Sequence, residues 1–258
     1  MTKNIEMKTI ILLGLLILFL VSVQFAGAQT VDEVIDKYVA ARGGKEKLAA
    51  LKSIYMEGSR EMMGAEVTVK ITKEQDKLSR TEFEMAGKTG YVLVTDKEAW
   101  SLIPMRSPTP TKMPDEALAA MQTEMDVAGP LFNYAAKGHK AELIGKDTVD
   151  GNAAYKIKLT TKAGKEINYW IDASTYLLTQ SSSKGGGMFG GGRRNGAGNA
   201  EPAEVIILYK DYKDVGGIQF PHTIEPKIQG GDGRAGGGTT FDLIEINKPV
   251  DAKLYSHE

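Results

Sequence analysis

The sequence predicts a mainly β protein of the α+β class, a single large antiparallel sheet that meanders along the chain behind an N-terminal helix. Three observations predict it. About a dozen segments alternate apolar and polar residues at period two, the signature of strands with one buried and one wet face. The connections between them are short and carry Gly, Asn and Asp, which forces antiparallel neighbours, because a parallel crossover needs roughly a dozen residues or more. Helical spacing is confined to the start of the chain and to one stretch near its middle.

The first 28 residues are not expected in the fold. Lys3 and Lys8 precede an unbroken apolar run from Ile10 to Val21, and Ala26-Gly27-Ala28 supplies small residues for a cut after Ala28. That is the pattern of a secretory signal peptide. The alternative is an uncleaved membrane anchor, but the apolar core is about a dozen residues where a span needs ~20. The chain has no cysteine, hence no thiol for a lipid anchor. The expectation is an exported, soluble protein with one domain over residues 29–258.

Thr30-Val31-Asp32-Glu33 reads as a capping box. Val31, Val34, Ile35, Tyr38 and Val39 follow at helical spacing until Gly43-Gly44 stops the helix. Lys45 to Leu51 could form a second short helix. From Ser53 the period becomes two, most cleanly over Glu66–Thr72 and Tyr155–Thr160. Further strands are expected at Ile54–Ser59, Leu78–Met85, Gly90–Thr95, Ala99–Ile103 and Ala141–Lys146. The rest are Glu166–Asp172, Tyr176–Ser181, Glu204–Tyr212, Ile218–Lys227 and Thr239–Ile246. Asp76-Lys77, Asp96-Lys97, Asp150-Gly151-Asn152, Ala163-Gly164 and Gly216-Gly217 are hairpin turns. Tyr91–Val94 and Val205–Tyr209 are apolar on both faces, one for the core and the other for helices or a greasy ligand.

Between residues 108 and 114 the chain is Pro-rich and irregular. Asp115–Ala128 is helical by composition, with Ala117, Leu118, Met121, Met125 and Ala128 on one face. Methionine suits a surface that re-packs against variable partners; an ordinary helix covering the end of a sheet is the other reading. Two Gly-rich stretches, 185–199 and 230–238, match no phosphate-binding pattern and have the composition of hairpin loops. If the strands around them alternate in direction, both loops leave the same end of the sheet, with Gly216-Gly217 at the other.

Chemistry is sparse. With 32 Lys+Arg against 33 Asp+Glu the net charge is −1, which leaves no basic stripe for nucleic acid. Absence of cysteine excludes disulfides, thiol nucleophiles and Cys-ligated zinc. His139, His222 and His257 are far apart with no metal-ligand spacing, and there is no Gly-x-Ser-x-Gly elbow. No catalytic residue, metal or cofactor is expected, and the chain does not read as an enzyme.

The mature chain resembles the periplasmic lipoprotein carriers of the LolA/LolB type, in the group of outer membrane lipoprotein-sorting proteins. The residues that carry the resemblance are Ala41-Arg42-Gly43-Gly44 with Leu48 and Leu51-Lys52-Ser53, Asp76-Lys77-Leu78-Ser79-Arg80, Gly87-Lys88-Thr89, and Asp96-Lys97-Glu98-Ala99-Trp100. They continue through Gly129-Pro130-Leu131, Leu143-Ile144-Gly145-Lys146, Tyr169-Trp170-Ile171-Asp172-Ala173, Gly217–His222 and Asn247-Lys248-Pro249-Val250-Asp251. Their order and spacing, rather than any one of them, make the likeness. The two Gly-rich insertions depart from it.

The resemblance implies an incomplete β-barrel closed on one side by a helical lid over an apolar cavity for acyl chains. Val67, Val69, Ile71, Phe83, Val92, Val94, Trp100, Tyr155, Ile157, Leu159 and Tyr169 are then expected to line it, each set sharing one strand face. Leu118, Met121 and Met125 would come from the lid. Arg80, upstream of Val94-Thr95-Asp96 and Trp100, best matches the carriers' arginine that hydrogen-bonds the lid, although their proline-bounded arginine motif is not reproduced around it. A plain pair between Arg80 and Glu82 or Glu84 is the other reading. The implied function is a monomeric periplasmic carrier of lipid or lipoprotein acyl chains towards the outer membrane, with an inner-membrane loading complex and an outer-membrane acceptor. A structural or signalling module with a solidly packed interior and a secreted hydrolase are the alternatives.

Overall fold

Alternation at period two does lay down the molecule. The computed structural model describes residues 29–62, 64–85, 87–184, 204–228 and 237–257, and in them thirteen strands form one antiparallel sheet, curved but not closed. They are β1 (Ser53–Met62), β2 (Ala65–Glu74), β3 (Leu78–Met85), β4 (Lys88–Thr95), β5 (Ala99–Leu102), β6 (Thr111–Lys112) and β7 (Lys140–Val149). Then come β8 (Asn152–Thr160), β9 (Glu166–Asp172), β10 (Leu178–Lys184), β11 (Glu204–Val215), β12 (Ile218–Ile228) and β13 (Thr239–Ile246).

The strand order is β6-β5-β4-β3-β2-β1-β13-β12-β11-β10-β9-β8-β7. Neighbours in space are neighbours in sequence everywhere except at β1 and β13, the first and last strands, which pair with each other from Ile54↔Ile246 to Arg60↔Thr239. On its other side β13 is joined to β12, among the described residues, by two pairs, Thr223↔Thr240 and Ile224↔Thr239. The free edges are β6 and β7, consecutive in the chain, so the segment that links them crosses one face of the sheet. We call that face inner and the opposite one outer.

Helix α1 (Val31–Arg42) lies on the inner face with Val34, Ile35, Tyr38 and Arg42 buried. It ends where the backbone turns at Gly43, with φ +128°, against the β11–β12 turn. A Cβ at Gly43 would sit 2.3 Å from the Gly217 carbonyl oxygen, so only glycine lets the helix end dock there. Arg42 Nε then donates to Gln219 O at 3.0 Å, and Lys47 Nζ, from the short helix α2 (Lys45–Ala49), donates to Gly217 O at 3.2 Å.

The predicted helix over 115–128 is broken. Helix α3 (Asp115–Met121) passes into a 3₁₀ helix at Gln122–Met125, which ends at an extended Asp126 before the chain enters turns. The β2–β3 turn imposes the break: Asp76 N donates to Met125 O at 3.3 Å, and the Gln75 side chain accepts from Val127 N at 2.9 Å. Those backbone groups are therefore unavailable for helical bonds. β6 was not anticipated; it is held by Trp100↔Lys112 and Ser101↔Thr111 inside the Pro-rich stretch. Among the described residues no helix is long and apolar enough to cross a membrane.

The expected signal peptide at 1–28 lies outside the described residues, as do 185–199 and 230–236 of the Gly-rich stretches. The strand ends that flank those stretches meet at one end of the sheet, through Lys184↔Glu204, Val205↔Ile228 and Ile224↔Thr239. The Gly216-Gly217 turn is at the other.

Three apolar clusters lie on the inner face. Leu48, Ile54, Met56, Val67, Val69, Ile71, Phe132, Phe220 and Phe241 pack over the middle of the sheet. Val34, Ile35, Tyr38 and Leu131 pack over Tyr155, Ile157, Leu159, Tyr169 and Ile171 on β8 and β9. Met121 and Met125 pack over Val94 and Ala99, with Val92, Met113 and Leu118 around them. A fourth cluster lies on the outer face, where Leu78, Tyr91, Leu93 and Trp100 are covered by Val250, Leu254 and Tyr255 of the C-terminal segment.

Candidate functional site

Between the first two clusters the inner face is not filled. A cavity of about 280 Å³ lies under α1 and the segment 123–131. Its floor comes from alternate residues of several strands: Ile54 and Met56 on β1, Ile71 on β2, Ile167 and Tyr169 on β9, Val205, Ile207 and Tyr209 on β11, and Phe220 and Ile224 on β12. Period two is what puts each set on the same side. The roof is Tyr38 and Arg42 of α1 with Val127, Pro130 and Leu131 of the crossing segment.

The polar groups of the wall are mostly paired. Lys73 Nζ meets Glu124 at 3.3 Å, Asp126 is held by Lys137 at 2.5 Å, and the Tyr209 and Ser181 hydroxyls are 3.0 Å apart. Burial pushes the Tyr209 phenol up to about 12 and the Tyr169 phenol well above its usual range. Burial also raises Tyr212, whose hydroxyl donates to Leu178 O at 2.8 Å. A raised phenol favours the fold while it is neutral. This contribution is complete below the unfolded value of about 10 and is lost as pH climbs through the folded values. Tyrosinate absorbance from these residues is therefore expected to rise together with loss of the sheet's circular dichroism above about pH 10. Titration of all ten tyrosines before the dichroism changes would contradict the burial argument.

Of the residues the sequence nominated, Ile71 and Tyr169 border this cavity. Val67, Val69 and Phe83 share the inner face and pack beside Ile71. Tyr155, Ile157 and Leu159 lie under α1. Leu118, Met121 and Met125 pack directly onto Val92 and Val94, so this helical stretch is built into the core next to the cavity.

Two placements are corrections. Trp100 is on the outer face, because the pairs Leu93↔Trp100 and Val94↔Ala99 put Ala99, not Trp100, on the inner side; its ring stacks on His257 at 3.8 Å. Arg80 pairs with Leu93 and so also faces outward, away from α3. It meets Glu82 at 3.0 Å, lies over the Tyr91 ring at 4.2 Å, and donates to Ser256 O at 2.8 Å and Leu254 O at 3.3 Å. The arginine thus fastens the C-terminal segment to the sheet rather than latching a lid. Such charge-assisted bonds contribute about 1.5–3 kcal/mol. In Arg80→Leu, amide exchange should quicken over 251–257 and stay unchanged over 115–128; the reverse pattern would restore the latch.

The sequence reading missed Arg42 and Tyr38, the crossing segment 123–130 and the β10–β12 part of the wall. One signal was there: Val34, Tyr38 and Arg42 recur every four residues, so a cation closes an apolar stripe. Among the described residues no three His, Asp or Glu gather as a metal site. The histidines serve separate ends: His139 accepts from Lys162 N at 3.0 Å, His222 is buried near Phe220 O at 3.2 Å, and His257 stacks on Trp100.

No protein-family model matches the chain, and no curated protein does. Solved structures do. A LolA superfamily protein from Nitrosomonas europaea superposes with TM-score 0.54 at 13% identity, covering 89% of this chain and 98% of that one. A DUF1329 family protein from Desulfovibrio piger gives TM-score 0.54 at 14% identity, over 89% and 98%. An outer membrane lipoprotein-sorting protein domain from Vibrio parahaemolyticus gives 0.52 at 10% identity, over 86% and 94%. The likeness runs through nearly the whole of each neighbour, and the open, curved sheet of this chain has the LolA-like fold.

Proposed function

We propose that the protein is an exported envelope carrier that shelters the acyl chain of a lipid or lipoprotein in the inner-face cavity and passes it on towards the outer membrane. The domain is residues 29–258 after removal of 1–28, and the loading and acceptor partners are those that the family likeness implies. The reading includes no chemical step. The observation that carries it is the cavity itself: an apolar space of about 280 Å³ at the centre of a LolA-like sheet. The space opens to solvent, and an acyl chain lying in it would cover a wall that is mostly apolar and remove that surface from water.

The test is native mass spectrometry and organic extraction of protein purified without detergent from an envelope fraction, beside displacement of a fluorescent fatty acid. Co-purified acyl species and saturable displacement are expected. A bare polypeptide mass together with no displacement would overturn the reading.

A further inference from the structure

Arg42 is 8% exposed and borders the cavity. A buried guanidinium is costly without a counter-charge, yet both of its hydrogen bonds go to neutral groups, Gln219 O at 3.0 Å and the Tyr38 hydroxyl at 2.9 Å. Among the described residues it forms no ion pair. Guanidinium has five N–H donors, so three are left without an acceptor. Tyr38, 3% exposed, also borders the cavity; its oxygen accepts from Arg42, and its own proton is free to donate. Of the acidic side chains on the wall, Glu124 meets Lys73, and Asp126, which meets Lys137, acts on Arg42 only through space, with no hydrogen bond or ion pair between them. The rings of Phe220 and Tyr38 flank the guanidinium at 5.5 and 5.8 Å and hold it in place.

We infer that Arg42 and Tyr38 form an anion anchor that takes the ionised carboxylate of a single-chain amphiphile, a long-chain fatty acid, whose tail lies in the cavity. This rests on the carrier reading and narrows it. Arginine's planar fork matches a carboxylate at two points. The volume sets the chain number: 280 Å³ is at the lower limit of the roughly 300–1,000 Å³ that ligand sites occupy. It houses one chain, not the two or three of a diacyl or triacyl lipid.

The test compares palmitate, methyl palmitate and hexadecanol on delipidated wild-type protein by isothermal titration calorimetry. Palmitate is expected to bind about ten- to a hundredfold more tightly than either neutral analogue. By NMR, the bound carboxyl of ¹³C-labelled palmitate should titrate below its free value. Arg42→Gln should abolish the preference while keeping affinity for the ester. Arg42 also ties α1 to β12, so if that variant does not fold, the ligand comparison on wild type decides. Equal affinity for acid, ester and alcohol would overturn the anchor and leave the carrier standing. Binding of none of the three would overturn both.

Discussion

Phe241→Ala is expected to destabilise the protein by about 3–5 kcal/mol, the range for removing a large aromatic side chain from a packed site. The side chain is 1% exposed and sits in the central inner cluster. Its backbone pairs with Gly58 across β1–β13, where a Cβ on Gly58 would lie 2.6 Å from Phe241 Cα, so the two strands approach as closely as glycine allows. On its other side β13 has two pairs with β12 among the described residues. Packing therefore reinforces a short β12–β13 ladder at this line, and Phe241 is the most deeply buried of the three phenylalanines in the cluster. Chemical denaturation should show the loss, with a melting temperature lower by roughly 2–4 °C per kcal/mol. A change under about 1 kcal/mol would mean that the central cluster does not carry the join.

Ile207→Trp is expected to do the opposite: cut acyl-chain binding by at least about tenfold while moving stability by less than about 1–3 kcal/mol, the usual cost of overpacking. Ile207 faces the cavity from β11, opposite Ser181 and Pro226. An indole there grows into space that a ligand needs rather than into packed neighbours. Fluorescent fatty-acid displacement beside thermal melts reads both quantities. Undiminished binding would show that the ligand lies elsewhere; a large stability loss with it would show that the space is not free.

What the sequence made legible is what local periodicity controls. Alternation over Glu66–Thr72 and Tyr155–Thr160 places β2 within two residues and β8 within three of their observed ends, and Gly43-Gly44 ends α1 as observed. Parity groups Leu78, Arg80 and Glu82 on one face, but it carries no sign, so it could not say which face the chain would roof. That is why Arg80 and Trp100 changed sides. β6 has two exposed residues and no pattern of its own; its pairing with β5 makes it a strand. Methionines at helical spacing require an apolar partner but do not say whether it is a ligand or Val92 and Val94. The cavity wall draws on six strands, α1 and the crossing segment, and only their three-dimensional arrangement brings them together.

The pairing of β1 with β13 also governs how the molecule is assembled. β2 to β6 and β7 to β12 are hairpins between sequence neighbours, which form with short loops and little closure entropy. The β1–β13 ladder joins the two ends of the chain, and the entropy of closing so long a loop must be met before any of its contacts form. High contact order of this kind slows folding. A nascent chain that has not yet delivered residues 239–246 has two sets of hairpins and no common sheet. A fold completed only by its last strand stays open until that strand has been delivered.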